Sequence, residues 1–166
     1  MKIAELLESL SDNHVQYVLV GGLAVQLHGF LRATFDIDLA LALDDANLVR
    51  FIAVAKHFCL IPALPVDMET LRDARLIEQG YCEKGMLSFS LREPQVGGSV
   101  VDVRVRPEVP FSTLASNAVI GELFGRQVPI AAIADLLVMK RIANRPKDRI
   151  DILVLEKIAR EEYPNA

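Results

Sequence analysis

Two aspartates, Asp36 and Asp38, interrupt the apolar run TFDIDLALAL. A charge in an apolar strand costs free energy unless it is paired or holds a cation, and two like charges two residues apart cost more. Side chains alternate across a strand, so Asp36 and Asp38 share one face while Ile37 and Leu39 share the other. At about 3.3 Å rise per residue their α-carbons lie about 6–7 Å apart, a spacing from which both carboxylates reach one cation. Oxygen-only ligation favours a hard ion such as Mg2+, which takes one or two carboxylates together with substrate phosphates. Asp102, in the middle of VVDVRV, has the same apolar flanks and is a candidate third ligand. Three carboxylates on adjacent strands suit two metal ions about 3.5–4 Å apart, a clamp for in-line displacement at phosphorus. The competing reading pairs these acids with Arg32, Arg104 or Arg106. Arg104 and Arg106 alternate onto the face of Asp102, where either one binds a phosphate or neutralises the carboxylate.

A second feature precedes the acid pair. Gly21 and Gly22 follow the β-branched run VQYVLV and precede the helical pattern LAVQLHGF. A strand, two glycines and a helix leave backbone N–H groups at a helix N-terminus with no side chain over them, a geometry that suits a phosphate. A glycine pair alone marks an ordinary turn more often than a site, and it gains weight here from the acids that follow. His28, at the end of that helical turn, is expected to be structural rather than a general base. RPKDRID reads either as a helix laced by Lys147, Asp148, Arg149 and Asp151 or as a surface that recognises an acceptor.

These residues need a frame. Ile3, Leu6, Leu7 and Leu10 recur at helical spacing, VQYVLV is a short buried strand, and TFDIDLALAL is a second strand. A helix is expected from Asp44-Asp45 to about His57, a connection through CLIPALPVD, and a further helix from Met68 to Gln79. MLSFSLRE and SVVDVRVRP alternate as strands around a Gly97-Gly98 turn, and VIGELFGRQVPI reads as a small hairpin. Ala131 to Ala143 is helical, and Pro146 opens a last helix through about Ala159. The order implies an α/β (α+β) domain with a mixed sheet flanked by helices. One domain is expected over 1–166, with a core at about 14–130 and C-terminal helices at about 131–162.

With 166 residues, 52% hydrophobic and no tryptophan, the chain suits one soluble domain with a real core. A net charge of −4 argues against a general nucleic-acid coat, although a patch from Arg104, Arg106, Arg141, Arg145 and Lys147 leaves room for RNA. Cys59 and Cys82 have no metal-ligand spacing and are expected to be ordinary buried or half-buried thiols. The N-terminus interleaves acids with leucines, unlike a signal peptide, and no apolar run reaches the roughly 20 residues needed to span a bilayer. A reducing cytoplasm is the expected address.

Gly21-Gly22, Asp36-Ile37-Asp38 and Asp102 together resemble the nucleotidyltransferase superfamily that includes DNA polymerase beta. The wording VGGLAVQLHGFLRATFDIDLAL, with its His28-Gly29 and Arg32-Ala33-Thr34-Phe35, looks closer to one branch, the AbiEii-like and minimal nucleotidyltransferases of prokaryotic toxin–antitoxin and phage-defence systems. DLLVMKRIANRPKDRIDILVL, from Asp135 to Leu155, is similar to the C-terminal part of that branch. The resemblance implies that Gly21 and Gly22 hold a nucleoside triphosphate such as ATP. It implies that Asp36 and Asp38 ligate two Mg2+ ions, and that Asp102 ligates the catalytic one and activates the acceptor hydroxyl. Arg32 and Thr34 would support the phosphates or orient the acids, and Lys140 would approach from its helix, unless it is a solvated face residue. The implied acceptor is a partner protein, as in toxin–antitoxin pairs, or a tRNA; homo-oligomers are compatible with it. Two other classes stay open: a non-catalytic nucleotide-binding or antitoxin module on the same fold, and nucleotidylation of a small molecule such as an aminoglycoside, which would want an acidic pocket.

Overall fold

Leu6, Leu7 and Leu10 are buried along one side of helix α1 (Ile3–Asp12), as their spacing requires. The computed structural model describes residues 1–30, 34 and 36–162; Arg32 lies outside them. After α1 come strand β1 (Tyr17–Val20), helix α2 (Gly21–Leu27), strand β2 (Asp36–Leu41) and helix α3 (Asp45–His57). Strand β3 (Ile61–Pro62), a 3-10 turn (Met68–Arg72), helix α4 (Ala74–Lys84) and strands β4 (Ser88–Arg92) and β5 (Val100–Arg104) follow. Helix α5 (Phe111–Asn117), the hairpin β6 (Val119–Leu123) and β7 (Arg126–Ile130), and helices α6 (Ile133–Ala143) and α7 (Pro146–Glu162) complete the order.

The strands form one seven-stranded mixed sheet in the order β3-β4-β5-β2-β1-β7-β6. β2 runs antiparallel to β1 and parallel to β5, and β4 runs antiparallel to β5. One row across the sheet is Leu19, Leu39, Val103 and Phe89, aligned in register and buried. Each such side chain removed from water stabilises the fold by roughly 1.5–3 kcal/mol. The neighbouring row, one residue along, is Val20, Asp38, Asp102 and Ser90. The alternation that buries the first row therefore turns the second to the opposite face. Helices α6 and α7 pack on each other, and α6 also packs on α2, next to the start of β2.

A buried asparagine fixes the ends of β1 and β2. Asn47 is fully buried; its side chain accepts from the Gln16 N–H at 2.7 Å and donates to the Gln16 and Ala42 carbonyls at 3.0 and 2.9 Å. Asp44 caps α3 by accepting from the Asn47 N–H at 3.0 Å, so one turn of helix both starts itself and clamps two strands.

Several expectations needed correction. The segment from 68 to 79 is not one helix. Asp73 sits in extended backbone between the 3-10 turn and α4, and its carboxylate caps α4 by accepting from the Arg75 and Leu76 N–H groups. The 59–67 connection contains the edge strand β3, and α5 was not anticipated. Cys59 and Cys82 are both exposed: Cys59 lies in the left-handed turn that ends α3, and Cys82 points outward from α4 toward Glu78. No helix among the described residues is long and apolar enough to cross a membrane.

Candidate functional site

Parallel pairing of β2 with β5 places Asp38 directly opposite Asp102, with α-carbons about 5 Å apart. Both carboxylates are half-buried. Burial in the sheet and the neighbouring Asp102 charge push the Asp38 carboxyl above its usual range, opposed by Arg104, the Gly22 N–H and Lys140. The Ser90 hydroxyl donates a short hydrogen bond to Asp102 Oδ1 from across the β4–β5 ladder. Asp36 belongs to the same face two residues earlier, opposite Val100, and is exposed at the edge of the site. Thr34, half-buried, lies just before β2.

The glycine pair is built into this arrangement. Gly21 has φ +65°, a left-handed conformation that favours glycine, and a Cβ there would fall inside the Asp38 carboxylate. The Gly22 N–H at the start of α2 donates to Asp38. The loop thus serves the acid first; its close approach to Asp38 follows from β1 ending at Val20, the register partner of Asp38.

The arginines that threatened Asp102 are engaged elsewhere. Arg104 pairs with Glu108 at 2.6 Å and donates to Ser88 at 3.3 Å, while Arg106 pairs with Glu78 and stacks over the Tyr81 ring at 4.3 Å. Among the described residues no cation lies within ion-pair distance of Asp102. Arg104 Nε and Glu108 Oε2 are buried without a hydrogen-bond partner among the described residues, and both residues line a small cavity with Gly21, Asp38, Lys140 and Arg145.

Lys140 reaches this cavity, but its ammonium is bound. It is buried and donates to Asp148 at 3.1 Å and Asp151 at 2.7 Å. RPKDRID is laced differently from the expectation: within it Asp148 takes Arg145 at 2.7 Å, Lys140 reaches Asp148 and Asp151 from α6, and Arg149 donates to Asn144 at 3.4 Å. His28 is structural, its Nε2 lying 2.9 Å from the Ala131 carbonyl. Sequence reasoning missed Ser90, a serine in an ordinary alternating strand whose partner lies twelve residues away. It also missed Glu108, which holds Arg104 off Asp102.

A larger cavity of about 470 Å3 adjoins the site beyond Ser90, between β4, α4 and the 62–66 segment. Among the described residues no three His, Cys, Asp or Glu side chains converge as a ready metal centre. Asp38 and Asp102 offer oxygen donors only, on a like-charged pair, and this donor set fits a hard divalent ion that completes its shell with phosphate oxygens.

No protein-family profile matches the sequence, and neither does any curated protein. Solved structures do match. The lincomycin-bound lincosamide antibiotic adenylyltransferase LnuA is 16% identical, with 94% of this chain and 95% of that one aligned at a TM-score of 0.63. The antibiotic-resistance factor ANT(2'')-Ia, in complex with adenylyl-2''-tobramycin, is 14% identical over 94% of this chain and 90% of its own, at a TM-score of 0.58. An antigenic nucleotidyltransferase-like protein from Paracoccidioides brasiliensis is 18% identical over 92% and 72%, with a TM-score of 0.56. At these identities the likeness is one of fold: the chain has the mixed-sheet architecture of nucleotidyltransferases.

Proposed function

We propose that this protein is a Mg2+-dependent nucleotidyltransferase that moves a nucleoside monophosphate from a nucleoside triphosphate such as ATP to an acceptor hydroxyl. The observation that carries the reading is the register pair of Asp38 and Asp102, half-buried side by side, with Arg104 and Arg106 paired to Glu108 and Glu78 instead. Such a like-charged pair is costly by itself and favourable around a divalent cation. The fold likeness to adenylyltransferases supports the same chemistry.

In this reading Asp38 and Asp102 would hold the ions, with Asp36 contributing from the edge of the site. When bound, Mg2+ supplies charge neutralisation on the transferring phosphate and the leaving pyrophosphate. Asp102 accepts the proton of the acceptor hydroxyl, whose oxygen forms a bond to the α-phosphorus. The bond from that phosphorus to its bridging oxygen breaks, and pyrophosphate leaves with the electron pair. Ser90 donates to the Asp102 carboxylate and so orients it on the face of the sheet. Gly21 leaves room for Asp38, and Arg104 and Arg145, each held by an acid, line the adjoining cavity.

The four arginines of the five-residue basic patch offer little to a polyanion. Arg104, Arg106, Arg141 and Arg145 are each paired with an acid, namely Glu108, Glu78, Glu156 and Asp148. A tRNA acceptor would gain little counterion release from them.

The test is incubation with each α-labelled nucleoside triphosphate and Mg2+, with metal-dependent nucleotide binding measured in parallel. Asp38→Ala and Asp102→Ala should each reduce transfer by about 10³-fold or more. Absence of both transfer and Mg2+-dependent binding in the unaltered protein would refute the reading.

A further inference from the structure

We infer that the acceptor is a neutral small molecule with an apolar body, seated in the cavity between β4, α4 and the 62–66 segment so that its hydroxyl meets Asp102. The inference rests on the nucleotidyl-transfer reading and names the substrate of that same site.

The volume, about 470 Å3, lies within the roughly 300–1,000 Å3 of small-molecule sites. Leu64, Val66, Leu76 and Met86 make its walls apolar, while Ser88 and Ser90 face it from the sheet. Gly80 belongs to the same wall: a Cβ there would approach Met86 Cε to 2.8 Å, so its lack of a side chain lets Met86 lie against the helix.

Position is the stronger argument. Ser90 lines the cavity and also donates to Asp102, so no further layer of protein separates the cavity from the carboxylate. Ser90, Asp102 and Asp38 stand side by side in register on three adjacent strands. A molecule in the cavity thus approaches the metal-binding acids from the side opposite Gly21.

Charge narrows the class. Among the described residues the ionisable side chains lining the cavity are Glu83 and Lys84, one of each sign. That balance gives a polycationic amino sugar no acidic pocket and a polyanionic RNA no basic one. An apolar surface selects by shape and buried area, and a hydroxyl beside a carboxylate supplies the polar anchor.

Methionine methyl groups report on the two halves of the site separately. The protein has four methionines; Met86 lines the apolar cavity and Met139 the small cavity beside Asp38. The experiment titrates the full chain, 13C-labelled at the methionine methyls, with 2-(2-naphthyl)ethanol, its methyl ether, glucosamine, and ATP with Mg2+. The alcohol should shift the Met86 resonance saturably and bind about tenfold more tightly than the ether. Glucosamine should leave Met86 unmoved, and ATP with Mg2+ should shift Met139. Leu76→Glu, at an exposed position, should weaken the alcohol at least tenfold with an otherwise native spectrum. Alcohol binding should persist in Asp38→Asn. If ATP with Mg2+ shifts Met139 while the alcohol leaves Met86 unmoved, or binds Leu76→Glu as well as the unaltered protein, the cavity assignment is overturned. A Met139 resonance that ignores ATP with Mg2+, beside a responding Met86, overturns the transfer reading and the acceptor role with it.

Discussion

Replacing Gly21 by alanine separates two effects that this position combines. The backbone at φ +65° costs a side-chain-bearing residue about 1–2 kcal/mol. The new methyl group also falls inside the Asp38 carboxylate, so Asp38 must swing away from Asp102 or β1 must part from β2. Gly125, in the β6–β7 hairpin, has φ +76° and open space where its Cβ would lie, so Gly125→Ala carries the backbone cost alone. At about 2–4 °C per kcal/mol for a domain of this size, Gly125→Ala should lower Tm by roughly 2–8 °C. Gly21→Ala should lower it further and, by displacing a reacting group by about 1 Å, reduce transfer by about 10²-fold or more. Thermal denaturation and label transfer, measured on both variants, check this. If Gly21→Ala keeps full transfer activity and melts like Gly125→Ala, the claim that Gly21 is glycine to make room for Asp38 is wrong.

Three further outcomes follow from contacts described above. Ser90→Ala, which takes the donor from Asp102, should lower kcat about tenfold with little change in stability, and Ser90→Thr, which keeps the hydroxyl, should restore most of it; equal loss in both variants would point to packing instead. Lys140→Met removes the ammonium shared by Asp148 and Asp151, of which Asp148 keeps Arg145, and should destabilise by about 1–3 kcal/mol in urea denaturation. Burial raises the Asp148 carboxyl, but its bonds to Arg145 and Lys140 outweigh this and hold it near about 2. Because its folded value is depressed, the stability it contributes is present above the unfolded value near 4 and is lost as pH falls toward 2, a loss of about 2 kcal/mol that urea midpoints across that range should show.

Much of the frame was legible because local chemistry agrees with the fold. The Asp44 cap, the alternation through Asp36–Leu41 and Val100–Arg104, and Pro146 at the start of α7 all carry their own signals. The carboxylates were legible for a related reason: a charge in an apolar strand is conspicuous wherever the strand lands. Partner choice was not. Which acid Arg104 takes depends on where the chain turns after β5 to bring Glu108 back, and no local pattern encodes that return. Lys140 was ambiguous because a lysine on an amphipathic helix reads as solvated until the facing helix is known; only α7 shows two carboxylates waiting for it. The broken helix at Asp73 was missed because Met68 to Gln79 keeps helical periodicity through a residue that serves better as a cap.

Helix α4 buries none of its residues, yet it forms one wall of the apolar cavity and is tied through Glu78 and Tyr81 to Arg106, two residues past β5. Elements with few buried contacts open far more often than the whole molecule unfolds. Amide hydrogens of α4 should therefore exchange with solvent by local opening, orders of magnitude faster than those of β1 or β2. A molecule filling the cavity would give this helix the interior it lacks and slow its exchange. Exchange protection along Ala74–Lys84 then becomes a reporter of ligand binding that needs neither nucleotide nor turnover.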